Sequence, residues 1–291
     1  GVRQIRVIDR TFNTPPERAE ALLVLLLGEF PELCFHLEIH PGMLPPALRR
    51  LLAAAPPGRL HIEAGLQSTS AAALAAVQRY GDPAAALDGI GFLAGCRGFE
   101  THVDLLAGLP GQTWAQLLDD ARAAIAAGPA EIQLEILKAL PGTPFRDHAG
   151  GLGVAWSPVP PYEVLRTADL GPAALRQAAR LSRLLDRFHN APPLRACFRA
   201  VVGGDPGFLE AALAGLGDAG LLDAPATLER RFGALGELVR QRCPEHADAL
   251  RWAWISAGLP PQDPFCGAAP WKTAIPAEAS WELGDSTCQH R

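Results

Sequence analysis

Four short stretches of the chain alternate with period two, and in each of them the two faces differ in kind. In residues 34–40, Phe35, Leu37 and Ile39 face one way and His36, Glu38 and His40 the other. In residues 59–67, Leu60, Ile62 and Leu66 oppose His61, Glu63 and Gln67. In residues 101–107, Val103 and Leu105 oppose His102 and Asp104. In residues 131–137, Ile132, Leu134 and Ile136 oppose Gln133 and Glu135. Period-two alternation reads as β-strand. Between these strands the apolar spacing is helical, at 15–28, 44–55, 71–79, 83–94 and 113–127. Thr14, Ser68 to Ser70 and Thr113 are available as N-caps, and Gly28 as a stop for the first helix. A further strand is expected at 4–11.

Strands alternating with helices predict right-handed βαβ units and a parallel sheet. Fully buried parallel strands are apolar on both faces, and these are not. Helices cover the aliphatic side. The ionisable side must line a space holding water or a polar ligand, because an unpaired buried charge costs several kcal/mol. A barrel lumen meets that condition, with its active residues at the C-terminal strand ends. A closed barrel of this kind needs about eight strands, and five are legible. The predicted fold is therefore α/β, an incomplete (βα) barrel, followed by helices.

After residue 137 the chain turns to Pro and Gly, with Pro141, Gly142, Pro144, Gly150, Gly151, Gly153, Pro158, Pro160 and Pro161. This reads as a loop or linker. Helical spacing returns at 172–189, 206–219, 227–242 and 245–257, and the Pro-rich tail from 260 reads as loose. The expected domains are a barrel at 1–150, a linker at 151–165 and a helical domain at 166–291.

With 291 residues the chain has room for about two domains. It is 48% hydrophobic and 20% charged, which excludes a disordered or collagen-like chain. A net charge of −5 gives no electrostatic case for nucleic acid or an anionic membrane. The longest aliphatic run, 21–27, is far short of the roughly 20 residues a bilayer span needs. The six cysteines are scattered, with no CxxC pair, so neither a zinc knuckle nor a disulfide framework is indicated, and the expected location is the reducing cytoplasm. The chain opens on Gly1 and its one Met is Met43; the expectation is a piece of a longer protein.

Two loops carry candidate chemistry. The stretch from Asp104 to Thr113 ends the fourth strand; Gly108 and Gly111 allow close backbone approach to a ligand, and Pro110 stiffens the turn. An ordinary βα loop would read the same way. The stretch from Glu63 to Ser68 ends the third strand, and the Gln67 amide suits a ribose or a carboxylate; the alternative is that Gln67 and Ser68 cap the next helix. Gly150 to Gly153 is Gly-rich, but Trp156 stands where a dinucleotide fingerprint has its third glycine. His36, Glu38 and His40 with His61, His102 and Asp104 also suit a metal-dependent TIM-barrel hydrolase.

In order and spacing, these segments resemble the radical S-adenosylmethionine (SAM) superfamily. Leu37 to Pro41, Gly65 to Ser68, Arg79 twelve residues beyond Gln67, and the Asp104 to Thr113 loop are similar to the series in oxygen-independent coproporphyrinogen oxidases. Asp9 to Asn13, Phe35 to Glu38, Gln67 to Thr69, His102 to Leu105, Gln133 to Lys138 and Pro161 to Leu165 resemble radical SAM proteins with an N-terminal cobalamin (B12)-binding domain and a C-terminal domain called DUF4080. The resemblance covers about residues 1–240. It implies a (βα)6 partial barrel of which five units are present here, binding SAM, a 4Fe–4S cluster and cobalamin. It further implies an unknown small-molecule substrate, an electron donor such as flavodoxin or ferredoxin, and methyl transfer or a radical rearrangement as the reaction. The family's CxxxCxxC cluster loop has no counterpart in this sequence, so the chain alone is expected to be inactive, and an inactive scaffold is a further alternative. Carried over by residue, the resemblance assigns SAM contacts to Glu38, Gln67, Ser68, Arg79, Asp104, the Gly108 backbone and the backbone near Leu137. Asp9 and Thr11 stand where relatives have a Gly-rich SAM-facing segment. His36, His61, His102 and Lys138 are substrate-side or proton-transfer candidates.

Overall fold

The computed structural model describes residues 1–259; the tail from 260, with Cys266 and Cys288, lies outside the described residues. Five parallel strands form one sheet: β1 (Gln4–Arg6), β2 (Cys34–Ile39), β3 (Leu60–Gln67), β4 (Phe99–Ala107) and β5 (Glu131–Ile136). They lie side by side in chain order, β1-β2-β3-β4-β5. Right-handed crossovers that always step in one direction place every helix on the same face. This is the topology of an arc of a βα barrel and not of a doubly wound sheet.

The helices that follow the strands are α1 (Pro16–Glu29), α2 (Pro46–Ala53), α3 (Ala71–Ala76), α4 (Pro83–Ala94) and α5 (Trp114–Ala127). The period-two pattern translates directly into burial. Phe35, Leu37 and Ile39 on β2, Leu60, Ile62, Ala64 and Leu66 on β3, and Val103 and Leu105 on β4 are all buried. At about 25 cal/mol per Å² of apolar surface removed from water, this one-sided core is the main stabilising contribution of the sheet.

Local signals were met unevenly. Thr113 caps α5 in a reciprocal capping box with Gln116, and Ser70 caps α3. Thr14 does not cap α1, whose N-cap is Pro15, and the helix runs through Gly28 to Glu29. What finishes α1 is a distant residue. Arg59, just ahead of β3, donates Nε to the Leu33 carbonyl (2.7 Å) and Nη2 to the carbonyls of Phe30 (2.5 Å) and Leu26 (3.3 Å). The orphan carbonyls of a helix end are thereby satisfied from another element.

Residues 151–165, read as linker, carry structure. A short helix, α6 (Pro144–His148), leads to an antiparallel hairpin of β6 (Ala155–Trp156) and β7 (Val164–Arg166). The Val164 N–H donates to the Leu137 carbonyl at 2.8 Å, the Ala139 N–H donates to the Tyr162 carbonyl at 2.9 Å, and Lys138 bridges antiparallel to Glu163. The hairpin thus occupies backbone groups just beyond β5, a place where an open sheet edge would otherwise invite pairing. Val164, Leu137, Leu109 and Leu175 meet in one buried cluster.

The chain divides into two compact units, residues 1–182 and 183–291, and the division falls in the last turn of α7 (Pro172–Leu184). The described part of the second unit is helical. A π-helical turn (Leu185–His189) precedes α8 (Pro192–Gly204), α9 (Phe208–Asp218), α10 (Leu228–Arg242) and α11 (Ala247–Ser256). Its core stacks Phe188 on Phe198, and Phe198 edge-on to Phe208, with centroids 6.0 and 6.2 Å apart. Sequence reading passed over α8, because Pro192 and Pro193 look like a break; both sit in its first turn, where no amide donor is needed. Among the described residues no helix is long and apolar enough to cross a membrane.

Candidate functional site

The polar face of the sheet is arranged in rows set by strand register. His36 pairs with His61, and Glu38 pairs with Glu63, which pairs with His102. Gly65 pairs with Asp104, which pairs with Gln133. These rows floor a cleft of about 510 Å³ whose lining includes Arg6, His36, Glu63, Gln67, Asp104 and Lys138.

The lower rows neutralise themselves. Arg6 donates to Glu38 at 3.2 Å and to Glu63 at 3.0 Å, and Glu63 accepts from His36 Nε2 at 2.7 Å. The rings of His36 and His61 lie 4.6 Å apart, and those of His61 and His102 6.4 Å apart. Burial and the adjoining imidazoles push His61 below the usual histidine range. His102 goes the other way. Burial alone would depress it, but the Asp104 carboxylate, 3.2 Å from Nε2, with Glu131 and Glu63 behind, raises it. At the far wall Glu135 accepts from Lys138 Nζ at 2.6 Å and from Gln133 Nε2 at 2.9 Å, and the Lys138 bond is the main cause of its lowered carboxyl pKa.

The C-terminal end of β3 is where the site narrows. The register slips between Gly65 and Gln67, and Gln67 takes a left-handed φ of 65°. A bulge with a non-glycine residue in that region costs of order 1–3 kcal/mol and persists only where the surroundings impose it. Its effect is to turn the Gln67 amide back over Gly65. A β-carbon on Gly65 would lie 2.9 Å from Gln67 Nε2 and 2.7 Å from Arg79 Nη2. Arg79 arrives from the loop after α3 and donates Nη2 to the Gly65 carbonyl at 3.0 Å. Its guanidinium is largely desolvated, which lowers its pKa, and Asp104 is the charge that opposes this. Gln67, Arg79 and Asp104 therefore converge on the notch that Gly65 leaves open.

The other expected contacts fall differently. Glu38 shares the polar face but is engaged with Arg6. Ser68 is fully buried behind the strand end and donates to Asp120 at 2.8 Å. A β-carbon on Gly108 would meet Val164 and Leu175 at 3.4 and 3.5 Å, so that side of Gly108 faces the apolar cluster and not the cleft. Its N–H donates to Gln112 Oε1 at 3.0 Å. Leu137 spends its N–H on the Ala107 carbonyl and its carbonyl on the Val164 N–H. Asp9 is held by Thr11 and Arg18, with Arg18 the main cause of its lowered pKa.

Sequence reading missed Asp120. This carboxylate on α5, with no solvent exposure, accepts from the Thr69 N–H (2.7 Å), Thr69 Oγ1 (2.6 Å), Ser68 Oγ and Gln112 Nε2 (3.1 Å). It ties the loop after β3 to the loop after β4, and so fixes both sides of the notch. An Asp inside an amphipathic helix looks like a solvated residue until its position on the buried stripe is counted.

Among the described residues no three His, Cys, Asp or Glu groups converge to hold a metal ion. The donors of a hydrolase centre at His36, Glu38, His40, His61, His102 and Asp104 are instead spread along the rows, with Glu38 held by Arg6, His36 by Glu63 and His102 by Asp104.

No protein-family model matches the chain, and no curated protein matches it. Among solved structures it is similar to the radical S-adenosylmethionine methyltransferase TsrM from Kitasatospora setae with cobalamin and a 4Fe–4S cluster bound, at 19% identity and a TM-score of 0.45 over 60% of this chain. The same enzyme with tryptophan substrate and the SAM analogue aza-SAM bound gives 19% identity and 0.45 over 56%. Coproporphyrinogen III oxidase (HemN) from Escherichia coli, described as a radical SAM enzyme, gives 16% and 0.38 over 62%. The chain spans 35%, 34% and 46% of those three chains.

Proposed function

We propose that this chain forms the larger part of the barrel of a radical SAM enzyme, and that SAM lies across the C-terminal ends of β3 and β4. The observation that carries the reading is the notch at Gly65, where an amide, a desolvated guanidinium and a carboxylate converge from three elements. Each matches one part of SAM. Arg79 offers its remaining N–H groups to the methionine carboxylate, a planar fork on a planar acceptor. Asp104 accepts from the ribose hydroxyls, and Gln67 supplies both a donor and an acceptor beside them. Glu38 is held by Arg6 on the floor of the cleft and shapes that wall of the site. Ser68, Gly108 and Leu137 act in this reading by holding the loops around the ligand.

Bound there, SAM would supply either a methyl group, leaving S-adenosylhomocysteine, or, on receiving one electron from a donor outside the described residues, a 5′-deoxyadenosyl radical with release of methionine, for methyl transfer to or rearrangement of an unidentified small molecule in the cleft. The iron–sulfur cluster of this reading does not fit the residues described. Cys34, Cys96, Cys197 and Cys243 form no three-ligand set, and Cys197 is buried with its thiol pushed up to about 12. Cluster thiolates, a cobalamin pocket and the docking of a flavodoxin or ferredoxin would all have to come from elsewhere. No step of the chemistry is assigned to these residues beyond binding, orienting and excluding water.

The test is calorimetric titration of SAM into the anaerobically purified protein as its gene encodes it. Asp104→Asn and Gln67→Ala should each weaken binding about tenfold, or ~1.4 kcal/mol. Wild-type affinity in both variants would remove the site assignment, and a wild-type protein that binds no SAM would remove the reading.

A further inference from the structure

His40 takes no part in the ligand contacts described above, yet the local structure is built around its ring. It ends the run of polar positions on β2, and its backbone is clamped by Asn13. The His40 N–H donates to Asn13 Oδ1 at 2.9 Å, and Asn13 Nδ2 donates to the His40 carbonyl at 2.9 Å. The ring lies between two glycines. A β-carbon on Gly81 would lie 3.2 Å from His40 Nε2, and one on Gly42 would lie 3.3 Å from Cε1. Gly81 is two residues from Arg79, on the same loop. His40, Arg79, Gly65, Tyr80 and Asp82 line one small cavity of about 10 Å³, roughly the size of a single water. His40 Nδ1 is buried there without a hydrogen-bond partner.

We propose that His40 is a positioning residue for Arg79: its uncharged ring wedges the loop after α3 so that the guanidinium stays over Gly65, and protonation of the ring drives the guanidinium off. Where this bears on a ligand carboxylate it rests on the reading given above; the wedge itself does not. Two facts make the ring act by charge as well as by shape. Burial and the neighbouring Arg79 charge both hold His40 below the usual histidine range, so it is neutral near pH 7. The charged and titratable groups around it are Arg79, Tyr80 and Asp82 on the loop and, beyond Arg79, Asp104 on β4. A second cation in this cavity meets Arg79 at close quarters.

A ligand-free experiment tests the wedge. Melting temperatures of wild type, His40→Asn, Arg79→Gln and the double variant are compared between about pH 5 and pH 8. A histidine with a depressed folded pKa loses stability as pH falls below its unfolded value near 6.5. His40→Asn should therefore gain on wild type toward acid, and the gain should shrink when Arg79 is already Gln. An equal gain in both backgrounds overturns the proposal, and so does no gain at all. If His40→Asn does not fold, His40→Gln is read by the same comparison. SAM titrated over the same range supplies the second readout. Wild-type affinity should fall toward acid and that of His40→Asn should fall less; equal slopes overturn the link to Arg79. Absence of SAM binding by wild type at every pH would sink the functional reading and leave the melting comparison to decide the wedge.

Discussion

Replacing Asp120 isolates what holds the two site loops together. Its Oδ1 accepts from the Thr69 N–H and hydroxyl, and its Oδ2 from the Ser68 hydroxyl and the Gln112 amide. In Asp120→Ala, four donors lose their acceptor, and Ser68 and Gln112 have no solvent exposure with which to recruit water. An unsatisfied buried donor costs about 1–3 kcal/mol. Because the hydroxyls can rotate toward other acceptors, only the Thr69 N–H and the Gln112 amide stay unsatisfied, for roughly 2–6 kcal/mol. Asp120→Asn sharpens the argument. Its amide nitrogen can replace Oδ2, and the Ser68 hydroxyl can turn to accept from it. The Gln112 amide cannot turn, because its Oε1 already accepts from the Gly108 and Leu109 N–H groups. One donor then faces another, for about 1–3 kcal/mol. Urea unfolding followed by circular dichroism measures both variants. A cost below about 0.5 kcal/mol for Asp120→Asn, the range of an unremarkable surface change, would refute the network as described.

Two further outcomes follow from the geometry. Gly65→Ala places a methyl group 2.7 Å from Arg79 Nη2 and 2.9 Å from Gln67 Nε2, both the far ends of flexible side chains. Stability should change by less than about 1 kcal/mol, and on the proposed reading SAM affinity in the gene-encoded protein should drop roughly tenfold; calorimetry at wild-type affinity would contradict this. For His102 the folded pKa is raised, so its pairing with Asp104 stabilises the protein fully below pH about 6.5 and is lost as pH rises through the folded value. His102→Gln should therefore lose more stability at mildly acid pH than at alkaline pH, and a deficit independent of pH in urea melts would count against the pairing.

Much of the barrel was legible because period two is a strong signal once both faces are read. The aliphatic residues of β2 to β5 predicted the helix side, and the ionisable ones predicted the cleft. Edges were less legible. The strand expected at 4–11 stops at Arg6, beyond which the chain meets β2 through the Val7 N–H to the His36 carbonyl and the Phe12 N–H to the Glu38 carbonyl rather than through a continuous ladder. The hairpin of β6 and β7 was hidden by prolines, which sit at its turn and not in its ladder. Gln67, Arg79 and Asp104 lie around Gly65, whereas Ser68 was drawn away by Asp120. That competition could not be seen locally, since the partners are 52 residues apart. Arg59 as the finish of α1 escaped for the same reason.

The bulge that turns Gln67 has a consequence for how such a scaffold can change over time. It decouples the end of β3 from the two-residue rhythm that governs the rest of the strand. A mutation beneath it alters packing, and a mutation at it alters what meets solvent or a guest molecule, within the residue types a left-handed φ allows. The side chain at the rim can therefore be exchanged without disturbing the packing of the strand below it, and the boundary between the two is a single peptide unit wide.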